Sequence, residues 1–212
     1  MTGERTELKA FIRAIVADQT EEARAMLAAL PELAQEKVAV GATRQGASEY
    51  FFPEIAHYLY AGDTALHAAA AGYRVEIARE LLRHGADVAA RNRRGAQPLH
   101  YAADGGPGSQ TWNPEKQAAM ISYLIEAGAD VNAANKDGAT ALHRAVRGRC
   151  SRAVEALLRG GADVRAKNKS GSTPIDLTVW TTGRGGAGSQ EAKQELREIV
   201  RMLQITRTES ER

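Results

Sequence analysis

The sequence predicts an all-α solenoid of about five short helical repeats joined by short β-hairpin turns, and three observations predict it. A tetrapeptide recurs as Thr64-Ala65-Leu66-His67, Gln97-Pro98-Leu99-His100, Thr140-Ala141-Leu142-His143 and Thr173-Pro174-Ile175-Asp176, at spacings of 33, 43 and 33 residues. A second marker, Gly-Ala-Asp-Val, starts at Gly85, Gly128 and Gly161 and keeps the same 43 and 33. Between the markers lie the apolar pairs Leu81-Leu82, Leu124-Ile125 and Leu157-Leu158, preceded at helical spacing by Ala78, Ile121 and Val154. Such a stripe is the buried face of an amphipathic helix. A two-helix unit of this size cannot cover its own stripe, so units must stack and share their apolar surface.

In chain order, residues 7–38 read as a degenerate capping repeat, with Phe11, Ile12, Ile15, Ala23, Met26 and Leu27 inward and a polar outer face. Terminal repeats differ from internal ones because one face meets water. Residues 39–60 are an insertion that holds Tyr50, Phe51, Phe52, Tyr58 and Tyr60. Repeats follow at 61–95, 96–138, 139–171 and 172–205, all in one domain spanning 1–205, with a polar, frayed tail at 206–212. Within a repeat, the second helix stops at glycine (Gly85, Gly128, Gly161), the residue that most readily closes a helix in the left-handed conformation. A polar turn comes next, at Asn92-Arg93-Arg94-Gly95, Asn135-Lys136-Asp137-Gly138 and Asn168-Lys169-Ser170-Gly171. Asn and Gly there are hairpin-tip chemistry. Threonine then caps a new helix, and proline can stand behind it because its missing N–H costs nothing at the first helical position.

These markers carry a resemblance. The chain resembles the ankyrin repeat family, whose T-P-L-H-x-A signature and 33-residue period match directly over residues 61–205. Gln97 in place of threonine, Ala65 and Ala141 in place of proline, and Asp176 in place of histidine depart from the signature and are expected to weaken its hydrogen bonds. The repeat at 96–138 carries about ten extra residues between its helices, around Gly105-Gly106-Pro107-Gly108-Ser109-Gln110, and the last repeat holds a similar Gly185-Gly186-Ala187-Gly188-Ser189-Gln190. The resemblance implies a protein-binding scaffold whose hairpin tips and inner helices line a concave groove.

Composition allows this and excludes other classes. The 212 residues are 43% hydrophobic and 25% charged, which suits a folded chain. No apolar run approaches the ~20 residues of a membrane span, and the start, MTGERTELKAF, is charged where a signal peptide needs an apolar core. A cytoplasmic location is therefore expected, with no membrane association. Cys150 is the single cysteine, so no internal disulfide can form.

Most candidate chemistry gives way to structural readings. His67, His100 and His143 occupy equivalent places in units whose helices pack ~8–10 Å apart, too far to share a zinc ion whose ligands each sit ~2 Å away. No metal or cofactor is expected. Gly183-Arg184-Gly185-Gly186-Ala187-Gly188 fits G-x-G-x-x-G but follows a helix, whereas the dinucleotide fingerprint follows a strand. Cys150 has no base and orienting group beside it, and Asp87, Asp130 and Asp163 recur with the scaffold. No catalytic residue is assigned and the chain is read as no enzyme.

The candidate partner-binding residues are Arg93, Arg94, Lys136, Asp137 and Lys169 on hairpin tips, Arg144 and Arg147 on an inner helix, and the aromatic residues Trp112, Trp180, Tyr58 and Tyr60. If the resemblance holds, Arg149 and Arg184 join this basic surface. It would attract an acidic segment of another protein. A net charge of +2 without interleaved aromatics argues against nucleic acid. A monomer is expected. The aromatic insertion can be a lid on the first repeats or a partner's anchor. Two further readings stand beside this one: a small-molecule or anion site framed by the glycine-rich inserts, and a dedicated inhibitor or chaperone of one enzyme.

Overall fold

The computed structural model describes residues 6–179 and 189–209. They divide between Tyr101 and Ala102 into two compact units. The first holds α1 (Thr6–Val16), α2 (Thr20–Ala29), a 3₁₀ turn at Pro31–Ala34, strands β1 (Phe51–Phe52) and β2 (His57–Tyr58), α3 (Ala65–Ala71) and α4 (Val75–Arg83). Helix α1 packs on α2 and α3, and α2 packs on α4. The core comes from Leu8, Phe11, Ile12 and Ile15 of α1, Leu27 of α2, and Leu66, Ile77 and Leu81. Helices α1 and α2 thus form a packed helix pair. Burying each such side chain is worth about 1.5–3 kcal/mol, which lets helices as short as these persist where they would melt alone.

Helix α5 (Pro98–Ala102) spans the division, and the second unit continues with α6 (Pro114–Glu126), α7 (Ala141–Gly148), α8 (Ser151–Arg159) and α9 (Gln190–Glu209). Helix α8 packs on α6, α7 and α9. Met120, Ile121, Leu124, Leu142, Val146, Val154, Leu157, Ile199 and Leu203 are buried here, so the apolar stripes predicted from spacing do face inward. Gly128 and Gly161 follow α6 and α8 with φ of +96° and +87°, the left-handed closure that the sequence called for.

The three tips share one mechanism. The side-chain oxygen of Asn92 accepts from the N–H groups of Arg94 and Ala96, Asn135 from Asp137 and Ala139, and Asn168 from Ser170 and Ser172, at 2.8–3.1 Å. Asparagine does locally what a strand partner would otherwise do. Each tip is consequently a closed turn, and among the described residues the one two-stranded sheet lies in the insertion, where Phe51 pairs with Tyr58 and Phe52 with His57.

Three expectations are refined. Thr173-Pro174 opens only a 3₁₀ turn, Ile175–Thr178, in place of a full helix. Ile175 and Leu177 are only half-buried and Val179 is 75% exposed, so little packing stabilises a longer helix there. The tail read as frayed begins inside α9, whose last turns run to Glu209, with the Thr206 hydroxyl bonded to the Met202 carbonyl at 3.0 Å. The departures from the tetrapeptide keep part of its bonding, although the Gln97 Oε1 atom is buried without a hydrogen-bond partner among the described residues. The Gln97 N–H still donates to His100 Nδ1 at 3.1 Å, because that bond is made by backbone. Asp176 Oδ2 accepts from both the N–H and the hydroxyl of Thr173, at 2.8 and 2.7 Å, in the role histidine plays elsewhere.

Candidate functional site

The repeated histidine is where local sequence becomes a link between repeats. His143 Nδ1 lies 3.2 Å from the Thr140 N–H and so must be the acceptor, which leaves the proton on Nε2 to donate to the Ser172 carbonyl at 3.1 Å. His67 repeats the pattern, with Thr64 on Nδ1 and the Ala96 carbonyl 3.2 Å from Nε2. Each ring therefore ties its helix start to the next repeat, and both nitrogens of each are engaged. Among the described residues no group of three or more His, Cys, Asp or Glu side chains could hold a metal ion. Burial holds His143 below its ordinary 6.5, in the neutral form this network uses. The unfolded chain then takes up a proton near pH 6.5 that the folded chain refuses until lower pH. The contribution of His143 to stability should be flat above pH 6.5 and fall as pH drops below it. Urea unfolding at stepped pH checks this: His143→Gln should show a shallower acid-side decline, and equal slopes would remove His143 from the coupling.

Burial raises the Cys150 thiol to about 11, so it stays protonated and is no nucleophile at neutral pH.

In the first unit the insertion is built onto the tip at Asn92-Gly95. Residues 37–42 run antiparallel to 59–64, with Ala42 N–H donating to the Leu59 carbonyl and Gly62 N–H to the Val38 carbonyl, both at 2.7 Å. Leu59 N–H also bonds the Tyr50 carbonyl. Alternation along these extended segments sorts the side chains. Phe52 and Leu59 are buried, whereas Phe51 and Tyr58 are 39% and 38% exposed with ring centroids 4.8 Å apart; Ile55, in the 3₁₀ turn Pro53–Ile55 between the strands, is buried as well. Arg93 and Arg94 hold their guanidinium carbons 5.3 and 4.7 Å from the Tyr60 ring centre, and Arg94 Nη1 donates to the Tyr60 hydroxyl at 3.2 Å. Arg93 Nη2 also donates to the Ala42 carbonyl. The predicted residues Tyr58, Tyr60, Arg93 and Arg94 thus share one neighbourhood.

Beneath them lies a network that sequence reading missed. Asp63, fully buried, accepts from the Tyr60 N–H (2.6 Å), the Tyr101 hydroxyl (2.6 Å) and Asn92 Nδ2 (2.9 Å), and lies 3.6 Å from His67 Nε2. His57 stacks on Tyr101 with centroids 4.3 Å apart. The signal was present: Asp63 stands where Ala96, Ala139 and Ser172 precede the other tetrapeptides.

In the second unit the predicted residues behave differently from one another. Lys136, Asp137 and Lys169 are exposed on tips, and the Lys169 N–H donates to the Asp137 carbonyl at 2.9 Å, which joins the two tips. Arg144 Nη1 instead donates to Asp104 Oδ2 at 2.5 Å, and Arg147 Nη2 is 3.7 Å from Asp104 Oδ1. Half-buried Asp104 thus offsets the charge of these two arginines. Trp112 is half-buried and donates from its indole nitrogen to Gln117 Oε1 at 3.1 Å, while Gln117 Nε2 holds the Ala102 and Asp104 carbonyls. The first glycine-rich insert presses on α7 so closely that a Cβ at Gly106 would fall 1.6 Å from the Gly148 carbonyl oxygen. Glycine is required there by contact. Trp180, Arg184 and the Gly183–Gly188 motif lie outside the described residues.

Comparison with protein-family models matches ankyrin repeats three times: "Ankyrin repeats (3 copies)" over residues 39–111, "Ankyrin repeat" over 94–136 and "Ankyrin repeats (many copies)" over 124–177. A search of curated proteins gives no match.

Proposed function

Because the chain belongs to the ankyrin repeat family, we propose that it is a protein-binding module that performs no chemistry of its own, acting as a cytoplasmic monomer built as a single repeat domain. Ankyrin repeats are in general protein–protein interaction modules, and among the described residues no helix is long and apolar enough to cross a membrane. The partner is an acidic protein segment. The observation that carries this reading is the tips: asparagine side chains lock each backbone, while Arg93, Arg94, Lys136, Asp137 and Lys169 stay exposed. Presentation on a fixed backbone lowers the ordering cost of binding, and cations set on it steer acidic partners. Tyr58 and Tyr60 extend the surface in the first unit, Trp112 in the second, and Trp180 belongs to the same set. Arg144 and Arg147 contribute less charge because Asp104 is shared between them.

The test is quantitative affinity capture from cells with wild type and with a form carrying Arg93→Glu, Arg94→Glu, Lys136→Glu and Lys169→Glu. These positions are exposed, so the fold should hold. Loss of a defined set of partners is the expected result. Identical partner sets would remove the tips from the function.

A further inference from the structure

In the tetrapeptide register, Ala68, Tyr101 and Arg144 are equivalent positions, each directly after the histidine or its counterpart, and Ala71 corresponds to Arg147. In α7 these positions reach outward: Arg147 is exposed and Arg144 half-buried. In the first unit they do not. Every residue of α3 from Ala65 to Ala71 is buried, and Tyr101 is buried beneath the His57 ring. Ile55 sits so close to the end of α3 that a Cβ at Gly72 would lie 2.9 Å from its Cγ2. The insertion therefore occupies the face that α3 and the start of α5 would otherwise offer a partner. What the unit presents in exchange is the outer side of the insertion: Phe51 paired with Tyr58, then Tyr60 two residues further along the same extended segment with Arg93 and Arg94 on its ring.

We propose that the interaction surface of the first unit is this outer face of the insertion, in place of its inner-helix groove, and that it takes an acidic peptide segment bearing one apolar side chain. The proposal rests on the protein-binding reading above and specifies its ligand. Carboxylates sit on Arg93 and Arg94, neither of which has a carboxylate partner among the described residues. The apolar residue covers the Phe51–Tyr58 pair, two contacting rings that both stay exposed. Tyr58 and Tyr60 are two residues apart on extended backbone, about 7 Å, so in an extended ligand the apolar and acidic residues stand about two apart. Nucleic acid fits less well. The Phe51 and Tyr58 rings lean on one another at 49° and the Tyr60 ring carries two guanidinium groups, so the faces that would stack on bases are already used.

The test selects a random dodecapeptide library on the full chain and measures the enriched peptides, resynthesised with a fluorophore, by anisotropy, beside a labelled single-stranded RNA of matching length. Enriched peptides should combine Asp or Glu with Leu, Ile, Phe or Trp. Phe51→Ser with Tyr58→Ser, and separately Arg93→Glu with Arg94→Glu, should each weaken binding about tenfold or more, the scale of interface hot spots, with the helical circular dichroism spectrum of wild type. Peptides without acidic residues, binding indifferent to the Phe51 and Tyr58 changes, or preference for the RNA would each overturn the proposal. Peptides that instead respond only to Lys136→Glu with Lys169→Glu would overturn it while leaving the protein-binding reading intact. No enrichment at all would count against both.

Discussion

Leu142→Ala should lower the free energy of unfolding by about 2–5 kcal/mol, the range for removing a fully buried leucine and leaving a cavity. Leu142 is 0% exposed on α7, a helix of eight residues packed against α8. So short a helix has little stability of its own, and its contacts with the neighbouring helix decide whether it forms. The cost should fall at the upper part of the range if the surrounding side chains cannot close over the gap, and nearer the lower part if they can. Urea denaturation followed by circular dichroism measures it, with Lys136→Ala on an exposed tip as the control expected within about 0.5 kcal/mol of wild type. A loss below about half a kcal/mol for Leu142→Ala would contradict the shared core on which a repeat stack depends.

Asp63→Ala should have an effect of comparable size for a different reason. It removes the Asp63 acceptor of the Tyr60 N–H and of the Tyr101 hydroxyl, and leaves Asn92 Nδ2 with only the Tyr101 oxygen, around a side chain that is fully buried. Each buried donor left unpaired costs about 1–3 kcal/mol, so a loss on the order of 3 kcal/mol or more is expected. The two variants differ in where the damage goes. Asp63 holds Tyr60 and the ring on which His57 stacks, so hydrogen exchange in residues 50–62 should speed up in Asp63→Ala and stay near wild type in Leu142→Ala. Asp63→Asn keeps one carbonyl oxygen and turns an N–H₂ toward donors, and it should fall between wild type and alanine. Unchanged exchange in the insertion would mean that Asp63 serves only the repeat and not the surface above it.

Much of this protein was legible in order along the chain, and the residues show why. Leu81-Leu82, Leu124-Ile125 and Leu157-Leu158 lie on helices because 3.6-residue periodicity is a property of the local chain. Asn92, Asn135 and Asn168 close turns by bonding to N–H groups two and four residues away. The Thr140–His143 pair spans three residues. All of these interactions lie within a window that repeats, so a recurring pattern was enough to place them.

The candidate surface was only partly legible. Arg93 and Arg94 were identified as exposed cations and Tyr60 as an aromatic of the insertion, yet nothing in the spacing places Arg94 on a ring 34 residues away. Arg144 looked free in sequence and is bonded to Asp104, 40 residues distant. The insertion was read as lid or anchor without a means of choosing. Its extended backbone buries Phe52 and Leu59 and leaves Phe51 and Tyr58 exposed, since alternate residues of an extended chain point to opposite sides.

From the amino-acid sequence alone, this protein was determined to be a stack of ankyrin-type helical repeats, with its glycine stops, its asparagine tips and its helices, the one expected at Thr173-Pro174 excepted, in their places. Those features arise from contacts between near neighbours and from a period that copies them. Tertiary structure alone decided that the insertion packs on the inner face of the first unit, that Asp63 gathers three donors beneath it, and which of the candidate arginines pair with a carboxylate. Those outcomes depend on which distant side chains meet, and burial and pairing between residues 29 to 40 positions apart leave no periodic trace.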